Sequence, residues 1–494
     1  MINEEALGLL NDYISKESEP SLIVYNTLNW KRSGLITLFI DHQQIPKGMQ
    51  MRLLDQAGKQ YPAQILKPWH GGSYWSIWVD DIPAFGYKKF TLELFDEHIS
   101  PQNEHSHGKL HSHDDTLIYV ENGNSISFDN SWYSVSMDKN KGVITQIYDK
   151  ELKKTLVDEN AKYKLGEFIL EKLGGREQLQ NQMLPNGSRF GHLTDYTRQS
   201  LDSVWLSKIV EGSIWNTFQF KGTTETAYEG NDAYTFEIRM FNTTKRIDFA
   251  YGLKKKPILN PESFYFAFPF QLNNGKIYAE IAGGTMEAGV DQIPGSANDW
   301  NTIQNFVKVK NEEEQLILVS HEAPIMQFGN INTGRFEYKA VPEYNHIYSW
   351  PMNNYWTTNF NADQRGMYTW TYNFTSLENA NNEDATKFSW GSRVPFLARV
   401  IPKGEKDASK PSEMSVISGI PEHVLLINTK PMENENALLF QFREVADKKA
   451  SFLPETILGN KVKWFETNVL GEEVKSVKNI KIEGLESKFF KLSW

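Results

Sequence analysis

The chain has 494 residues, of which 52 are Lys or Arg and 62 are Asp or Glu, giving a net charge of -10. Because no basic stripe stands out that could follow a phosphate backbone, nucleic acid is not expected as a partner. The absence of cysteine excludes disulfides, thiolate catalysis and cysteine-ligated zinc, so a metal would have to rest on histidine and carboxylates.

One short helix is predicted at the start of the chain. Ala6, Leu9 and Tyr13 fall at helical spacing behind Asn3, whose side chain can cap the first turn. No stretch approaches the ~18 consecutive apolar residues of a membrane span, and Met1 is not followed by a basic segment and an apolar run. Neither a membrane span nor a signal peptide is therefore predicted, and the cellular compartment stays open.

After this helix the hydrophobic pattern changes to a period of two. Apolar residues alternate with polar ones around Phe90, Val135 and Ile238, as expected for half-buried strands. Turn signals such as Asn122-Gly123 and Asn274-Gly275 recur between these runs. The pattern predicts a mainly β fold built from sandwiches of antiparallel strands rather than from βαβ units.

Two polar stretches predict domain boundaries. Residues 97–115 are polar, rich in histidine and without periodicity. Residues 402–412 are rich in Lys, Asp and Ser and contain proline at both ends of the stretch. The acidic run Glu312–Glu314, between two apolar runs, is predicted to form the solvated tip of a hairpin.

Several strings identify a family, and they occur in order between Ile23 and Phe360. They are Ile23–Gly34, Val79–Tyr87, Val120–Asn122 with Gly142–Glu151, Asp291–Ser296 with Asn298–Trp300, and Ser349–Phe360. Together they resemble the C-terminal β portion of bacterial α-mannosidases of glycoside hydrolase family 38. One departure is Phe168, which stands roughly where some family members have a tyrosine that reaches toward the sugar.

The resemblance implies a small β domain, a large supersandwich that resembles galactose mutarotase, and a C-terminal β-sandwich. We therefore predict six segments along the chain. They are a remnant of a helical bundle (1–18), the small β domain (19–98), a linker (99–115), the central supersandwich (116–401), a second linker (402–412) and the last sandwich (413–494).

The resemblance also implies that catalysis lies elsewhere. Complete family members carry their aspartate nucleophile, acid-base carboxylate and zinc in an N-terminal barrel, which is expected to be absent from this chain. We therefore predict no catalytic residue, no metal ligand and no cofactor here, with zinc in the missing catalytic domain. The expected partners are that domain and a mannose-containing glycan.

A histidine-rich string resembles the zinc motif of that catalytic domain. His111-Ser112-His113-Asp114 has the right residue types, with His105 and His107 nearby. In the family, however, the motif follows a buried strand, whereas here it follows a polar linker that provides no second shell to hold a metal. We interpret the string as a linker.

The candidate site is the aromatic and amide-rich segment from Ser349 to Phe360. A sugar's C–H face stacks well on indole or phenol rings, and its hydroxyls need amide partners. The alternative is that the rings fill the core while the asparagines shape turns. The predicted residues of a substrate rim or domain interface are Trp350, Asn353, Asn354, Tyr355, Trp356 and Asn359, with Gly295, Ser296 and Trp300 as neighbours.

Three hypotheses about function remain open at this point. The chain is a non-catalytic part of an α-mannosidase that supports the catalytic domain, a stand-alone carbohydrate-binding or mutarotase-like protein, or a partner subunit of a split mannosidase. A mutarotase needs a histidine acid and a glutamate base in one cleft. His192, His321 and His346 are available for the first role.

Overall fold

The computed structural model describes residues 14–96, 119–180, 193–296, 298–333, 341–357, 359, 361–407 and 409–494. The predicted helix, residues 3–16, lies outside these residues up to residue 13, as do the histidines of the linker. Its last predicted residues, Ile14–Lys16, are described and are not helical. No helix in the described part of the chain is long and apolar enough to cross a membrane.

Strands dominate the described structure, which confirms the predicted mainly β fold. The described helices are α1 (Glu177–Gln180) and α2 (Asn382–Arg393). Alternation predicts the buried faces correctly, since Val135 and Ile238 are buried on strands whose intervening residues are half-buried. The turn signal at Asn122-Gly123 lies at a hairpin whose two turn residues are Gly123 and Asn124, between the paired residues Asn122 and Ser125, and Gly123 adopts a φ of 60°.

Contacts between residues divide the chain into two compact units. The first combines Met1–Ser112, Gly212–Ile214 and Asn381–Trp494, and the second combines His113–Glu211 and Trp215–Ala380.

The first unit contains two sheets that pack into a sandwich. The six-stranded sheet has the order β28-β1-β7-β3-β4, with β29 also paired to β7, and the other has the order β2-β6-β5. Their strands are β1 (Ser21–Asn26), β2 (Arg32–Asp41), β3 (Met49–Leu54), β4 (Gln60–Tyr61), β5 (Ala63–Trp69), β6 (Gly72–Ile82), β7 (Gly86–Asp96), β28 (Leu397–Ile401) and β29 (Glu413–Ser415).

The core between these two sheets joins Leu22 and Phe90 of one sheet to Ile36 and Ile77 of the other. The sequence-based division placed residues 397–401 in the central domain, whereas they form β28, which runs antiparallel to β1.

The same unit also contains the C-terminal strands. They form a five-stranded sheet in the order β30-β31-β38-β35-β36 and two short pairs, β32-β37 and β33-β34. Their bounds are β30 (Val424–Pro431), β31 (Ala437–Glu444), β32 (Ala450–Phe452), β33 (Thr456–Ile457), β34 (Asn460–Lys461), β35 (Lys463–Thr467), β36 (Glu473–Val477), β37 (Ile480–Ile482) and β38 (Ser487–Ser493). Phe442, Trp464 and Phe490 lie at the centre of their core.

The second unit contains three larger sheets. Their orders are β12-β11-β10-β9-β8, β14-β13-β19-β26-β25-β22, and β15-β16-β17-β18-β27-β24-β23-β20-β21. The strands are β8 (Tyr119–Asn122), β9 (Ser125–Asp129), β10 (Tyr133–Asp138), β11 (Val143–Asp149), β12 (Lys154–Thr155), β13 (Phe168–Leu173), β14 (Tyr196–Gln199), β15 (Ser203–Val210), β16 (Trp215–Thr223), β17 (Tyr234–Phe241), β18 (Ile247–Lys255), β19 (Glu262–Pro269), β20 (Lys276–Ile281), β21 (Gly284–Glu287), β22 (Asn301–Thr302), β23 (Phe306–Lys310), β24 (Gln315–Ser320), β25 (Ile325–Phe328), β26 (His346–Asn353) and β27 (Gly366–Leu377).

The six-stranded sheet of this unit is covered on both faces at its centre, because every residue of β19 is buried. Phe264 and Phe266 face the large core shared with the nine-stranded sheet. Tyr265 and Ala267 face a second cluster on the opposite side. Since successive strand residues point to opposite faces, the second cluster is the outer face of this sheet.

The acidic hairpin differs from its prediction at one residue. β23 and β24 form the expected hairpin, and Glu312 and Glu313 at its tip are exposed. Glu314 is buried, however, and its carboxylate accepts a hydrogen bond from Lys154 of the neighbouring sheet. The ion pair explains how a carboxylate can be buried at this position.

Candidate functional site

The predicted segment begins on β26 and continues in the loop that follows it. Trp350, Asn354 and Tyr355 are buried, Asn353 and Trp356 are half-buried, and Asn359 is exposed. The segment therefore contains both core residues and residues at the surface.

Asn354 organises the loop through its side chain. Its Nδ2 donates to the carbonyls of Ile258 and Asn260, each at 3.0 Å, and its Oδ1 accepts from the backbone N–H of Glu262 at 2.7 Å. Because buried amides must be hydrogen-bonded, these internal partners account for the burial of Asn354. The Asn353 Oδ1 accepts from the backbone N–H of Tyr355 at 3.3 Å.

The aromatic rings of the segment form a packed cluster with Trp300. The ring centroids of Trp300 lie 5.3 Å from Trp350 and 5.6 Å from Trp356, and Trp350 stacks on Tyr265 at 5.9 Å. Trp350 and Tyr355 belong to the buried part of this cluster, whereas Trp300 and Trp356 pack against it and stay half-exposed. The pairs include an edge-to-face contact between Trp300 and Trp350 and a stacked contact between Trp350 and Tyr265, both of which are favourable arrangements of aromatic rings.

Gly295 and Ser296 form part of an exposed turn. Gly295 has a φ of 83°, and the Ser296 N–H donates to the Ile293 carbonyl at 3.0 Å. The Ser296 carbonyl accepts from Asn298 Nδ2 at 3.0 Å. A side chain at position 295 would be strained, which explains the glycine.

Beneath the aromatic cluster lies a buried carboxylate, Glu171 on β13. Its Oε1 accepts from the hydroxyls of Tyr265 at 2.9 Å and Tyr355 at 2.5 Å, and its Oε2 accepts from Arg198 Nε at 2.5 Å. Glu171 and Arg198 stand directly opposite each other on neighbouring strands. Burial lowers the pKa of Arg198, but Glu171 together with Tyr265 and Tyr196 raises it by more, so the guanidinium stays charged.

A cavity of about 800 Å³ opens beside this network. We call it the tyrosine cavity because four tyrosines line it. The residues that line it are Asp158, Asn160, Ala161, Lys162, Tyr163, Leu193, Tyr196, Arg198, Asn330, Ile331, Thr333, Tyr344, His346 and Tyr348. Its volume is in the range of about 300–1,000 Å³ that is typical of ligand sites.

His346 connects this cavity to a carboxylate. Its Nε2 lies 3.0 Å from Asp158 Oδ2, and the ring of Tyr344 stacks on its imidazole with centroids 5.1 Å apart. Burial lowers the pKa of His346 below its ordinary value, and the hydrogen bond with Asp158 only partly offsets that effect. At neutral pH the imidazole is therefore uncharged, and it donates its Nε2 hydrogen to the carboxylate.

The other histidines proposed for sugar chemistry do not line this cavity within the described structure. His321 Nε2 lies 2.6 Å from Asn373 Oδ1, in a separate interaction. His192 lies outside the described residues. Phe168 is buried among Tyr234 and Phe264 in the large core, where its ring packs between the sheets.

No group of three metal-binding side chains occurs among the residues that the structure describes. His105, His107, His111 and His113 fall outside that part of the chain, so the interpretation of this string as a linker stays a prediction.

Sequence reasoning did not single out most of the tyrosine cavity, because its residues come from separate segments. A partial signal is present in the period of two, since Tyr196 and Arg198 alternate along one strand. Tyr344, His346 and Tyr348 alternate in the same way. This alternation predicts that the residues within each group lie on one face of their own segment. It does not predict that the faces of the two segments meet at one cavity.

Comparisons with known proteins agree with the resemblance. Residues 128–323 match the family model described as the C-terminal domain of glycosyl hydrolases family 38. An α-mannosidase from Enterococcus faecalis V583 is similar in structure, with a TM-score of 0.69, 14% identity and coverage of 99% of this chain and 58% of that one. No curated protein matches the chain.

A second structure, a protein in glycosyl hydrolase family 38 from Enterococcus faecalis, has a TM-score of 0.67 and 14% identity, and covers 99% of this chain and 60% of that one. This chain therefore spans about three fifths of the length of these two proteins. The likeness confirms the fold over nearly the whole chain, and the family model confirms the resemblance for the central region.

Proposed function

We propose that this chain, which carries a family 38 C-terminal domain over residues 128–323, is the non-catalytic β portion of an α-mannosidase. It supports a zinc-dependent catalytic domain and provides part of the rim at which a mannose-containing glycan binds. The proposal rests on the family match together with the structural similarity to a longer α-mannosidase, which extends over 99% of this chain.

Trp300 and Trp356 are the rim residues in this proposal. Each ring is half-exposed and is held from below by buried rings, so it offers a fixed aromatic surface. Such a surface suits the apolar face of a sugar. Asn353, Asn359 and the turn at Gly295 would supply polar partners to the glycan or to the catalytic domain.

The carboxylates at the described site support the non-catalytic role. A retaining glycosidase uses two carboxyl groups ~5–5.5 Å apart, of which one attacks the sugar. Glu171 is fully buried under Arg198 and two tyrosine hydroxyls. Asp158 is hydrogen-bonded to His346. Glu171 is therefore not placed to act as a nucleophile, and Asp158 is the one carboxylate among the described residues that line the tyrosine cavity, so the second carboxyl group is lacking there.

The first test uses the purified chain and 4-nitrophenyl α-mannoside, with added zinc or with a chelator. We expect no release of nitrophenol above the uncatalysed rate, because the positioned acid and nucleophile that give glycosidases their acceleration are supplied elsewhere. Zinc-dependent release that is abolished by His113→Ala would contradict the proposal and make the histidine string a catalytic site.

The second test separates rim from core within one cluster. Trp356→Ala should lower the thermal stability of the chain only slightly and reduce the activity of the complete enzyme, because this ring is half-exposed. Trp350→Ala is the matched control, and we expect it to cost ~3–5 kcal/mol of stability because this ring is buried. Equal losses of stability for the two variants would remove Trp356 from the rim.

The tyrosine cavity favours a second candidate, a stand-alone carbohydrate-binding or mutarotase-like protein. It contains a histidine, His346, of the kind that acts as the acid in mutarotation, while Asp158 takes the place of the glutamate base among its described lining residues. Polarimetry of freshly dissolved α-galactose with the purified chain distinguishes this candidate from the non-catalytic mannosidase portion. Faster mutarotation in the presence of the chain would support the mutarotase-like protein, and an unchanged rate would contradict it. A partner subunit of a split mannosidase would instead restore hydrolysis when mixed with a separately encoded barrel.

A further inference from the structure

Two aromatic rings stand at the tyrosine cavity with much of their surface exposed. Tyr344 is 45% exposed and Tyr196 is 40% exposed. The imidazole of His346 stacks against the first, and the guanidinium of Arg198 lies 4.6 Å from the centroid of the second. Each ring is therefore supported from one side and can accept a ligand on the other.

The polar groups of the cavity are anchored before any ligand arrives. Arg198 is held through its Nε by the buried Glu171, so its remaining N–H groups are positioned at the cavity. Asp158 is fixed by His346 and can accept further hydrogen bonds. The Tyr163 hydroxyl, beside the cavity, has no hydrogen-bond partner among the described residues. The site thus combines fixed donors and acceptors with aromatic faces.

The charge balance at the cavity distinguishes between ligand classes. The positive charge of Arg198 is compensated by Glu171, and Asp158 lies at the same cavity as Lys162. A phosphate or another anion would find little uncompensated positive charge here. A purely apolar ligand would leave the polar groups without partners. A neutral molecule with hydroxyls and an apolar face fits both conditions.

We propose that the tyrosine cavity binds a pyranose unit of a glycan, with the sugar stacked on Tyr344 or Tyr196 and its hydroxyls bound by Arg198 and Asp158. None of the predicted rim residues lines this cavity, so it would give the chain its own contact with carbohydrate. The inference deepens the proposed function, which suggests mannose as the first sugar to test. A smaller cavity of about 110 Å³ near Asn298 falls below the roughly 300 Å³ of typical ligand sites.

The test measures binding of methyl α-mannoside, methyl α-glucoside and methyl α-galactoside to the full chain by saturation-transfer NMR. We expect saturable binding of at least one of these pyranosides. The double variant Tyr196→Ala/Tyr344→Ala should weaken it about tenfold or more, because two stacking surfaces are lost. The variant Tyr196→Phe/Tyr344→Phe keeps the rings and should retain most of the affinity.

Tyr228→Ala is the matched control, since Tyr228 is 46% exposed in the same unit but does not line the cavity. Its affinity should equal that of the unchanged chain, and thermal melts should show that all variants fold. Absence of binding for all three sugars, or binding that the double alanine variant leaves unchanged, overturns the proposal. The binding experiment does not measure hydrolysis, so absence of sugar binding would leave the proposed non-catalytic role intact. Conversely, hydrolysis detected in the separate mannoside assay would not change the binding result.

Discussion

Glu171 shows how a single buried charge orders its neighbours. A carboxylate without solvent is tolerated only when its oxygens are paired, and here an arginine and two tyrosine hydroxyls provide the partners. Their hydrogen bonds fix Tyr355 in the core and position Arg198 at the tyrosine cavity. The same residue therefore links the packing of the predicted segment to the chemistry of the adjacent site.

Tyr355→Phe tests this link, because it removes one hydroxyl and leaves the ring in place. Hydrogen bonds to charged groups contribute about 1.5–3 kcal/mol, so we expect a loss of that size in the free energy of unfolding, measured by urea denaturation. Tyr344→Phe, which removes the hydroxyl of an exposed tyrosine, should change stability by less than about 0.5 kcal/mol. Equal effects would show that the bond to Glu171 contributes little.

His346 predicts a pH dependence of stability. Burial lowers its pKa in the folded chain below the ordinary 6.5, so the unfolded chain binds the proton first as the pH falls. The contribution of neutral His346 is complete above about pH 6.5 and is lost as the pH drops from there to its folded pKa.

The measurement is the unfolding free energy between pH 7.5 and 5 for the unchanged chain and for His346→Gln. The unfolding free energy of the variant should fall less below about pH 6.5 than that of the unchanged chain, since glutamine does not titrate. His70→Gln, at an exposed position, should keep the full decrease. An identical pH profile for His346→Gln and the unchanged chain would contradict the assignment.

At the scale of elements, the string Asn26–Arg32, between β1 and β2, acts as a junction within the first unit. The Asn26 Oδ1 accepts from the Leu28 N–H at 3.0 Å and from Arg32 Nε at 2.9 Å, which shapes the loop between β1 and β2. Asn29 then pairs with β30, donating to the Val424 carbonyl at 2.7 Å and accepting from the Leu426 N–H at 2.9 Å. This side chain therefore mimics a strand along the edge of the C-terminal sheet.

Asn29→Ala should weaken that junction. It leaves a buried carbonyl and a buried N–H without their partner, and each such group costs ~1–3 kcal/mol. We expect a loss of about 2–3 kcal/mol, measured by urea denaturation. Asn436→Ala, at an exposed position of the same unit, should have almost no effect. A neutral Asn29→Ala would show that water replaces both bonds.

At the scale of the whole molecule, the two units differ in how their chains are assembled. All sheets of the second unit are completed between Tyr119 and Leu377. The first sheet of the other unit instead takes β28 and β29 from beyond residue 396. The first unit therefore closes only when both ends of the chain are present.

Two fragments test this difference. Residues 113–380 should fold alone, with a β-type circular dichroism spectrum, dispersed amide NMR signals and cooperative melting, because the large core lies entirely within them. Residues 14–96 should not, because β1 would lose β28 and expose a buried strand edge. A folded 14–96 fragment, or an unfolded 113–380 fragment, would contradict this division.

The sequence by itself determined the fold class and the buried face of many strands. Tyr133, Val135 and Met137 alternate with serines, and each is buried on β10. A period of two is a local property of the strand, so it can be read without knowledge of any partner. The family strings also indicated a resemblance to family 38, and the family model confirms this resemblance over residues 128–323.

Only the tertiary structure decided which residues of the predicted segment are core. Trp350 and Trp356 are both tryptophans of the same aromatic and amide-rich segment. Trp350 is buried on β26, whereas Trp356 lies in the following loop and is half-buried. The pairing of Glu171 with Arg198 and the tyrosine cavity also join residues far apart in the chain. Such contacts depend on strand order and on sheet packing. These are set by the burial of whole faces at long sequence separation, so no local pattern contains them.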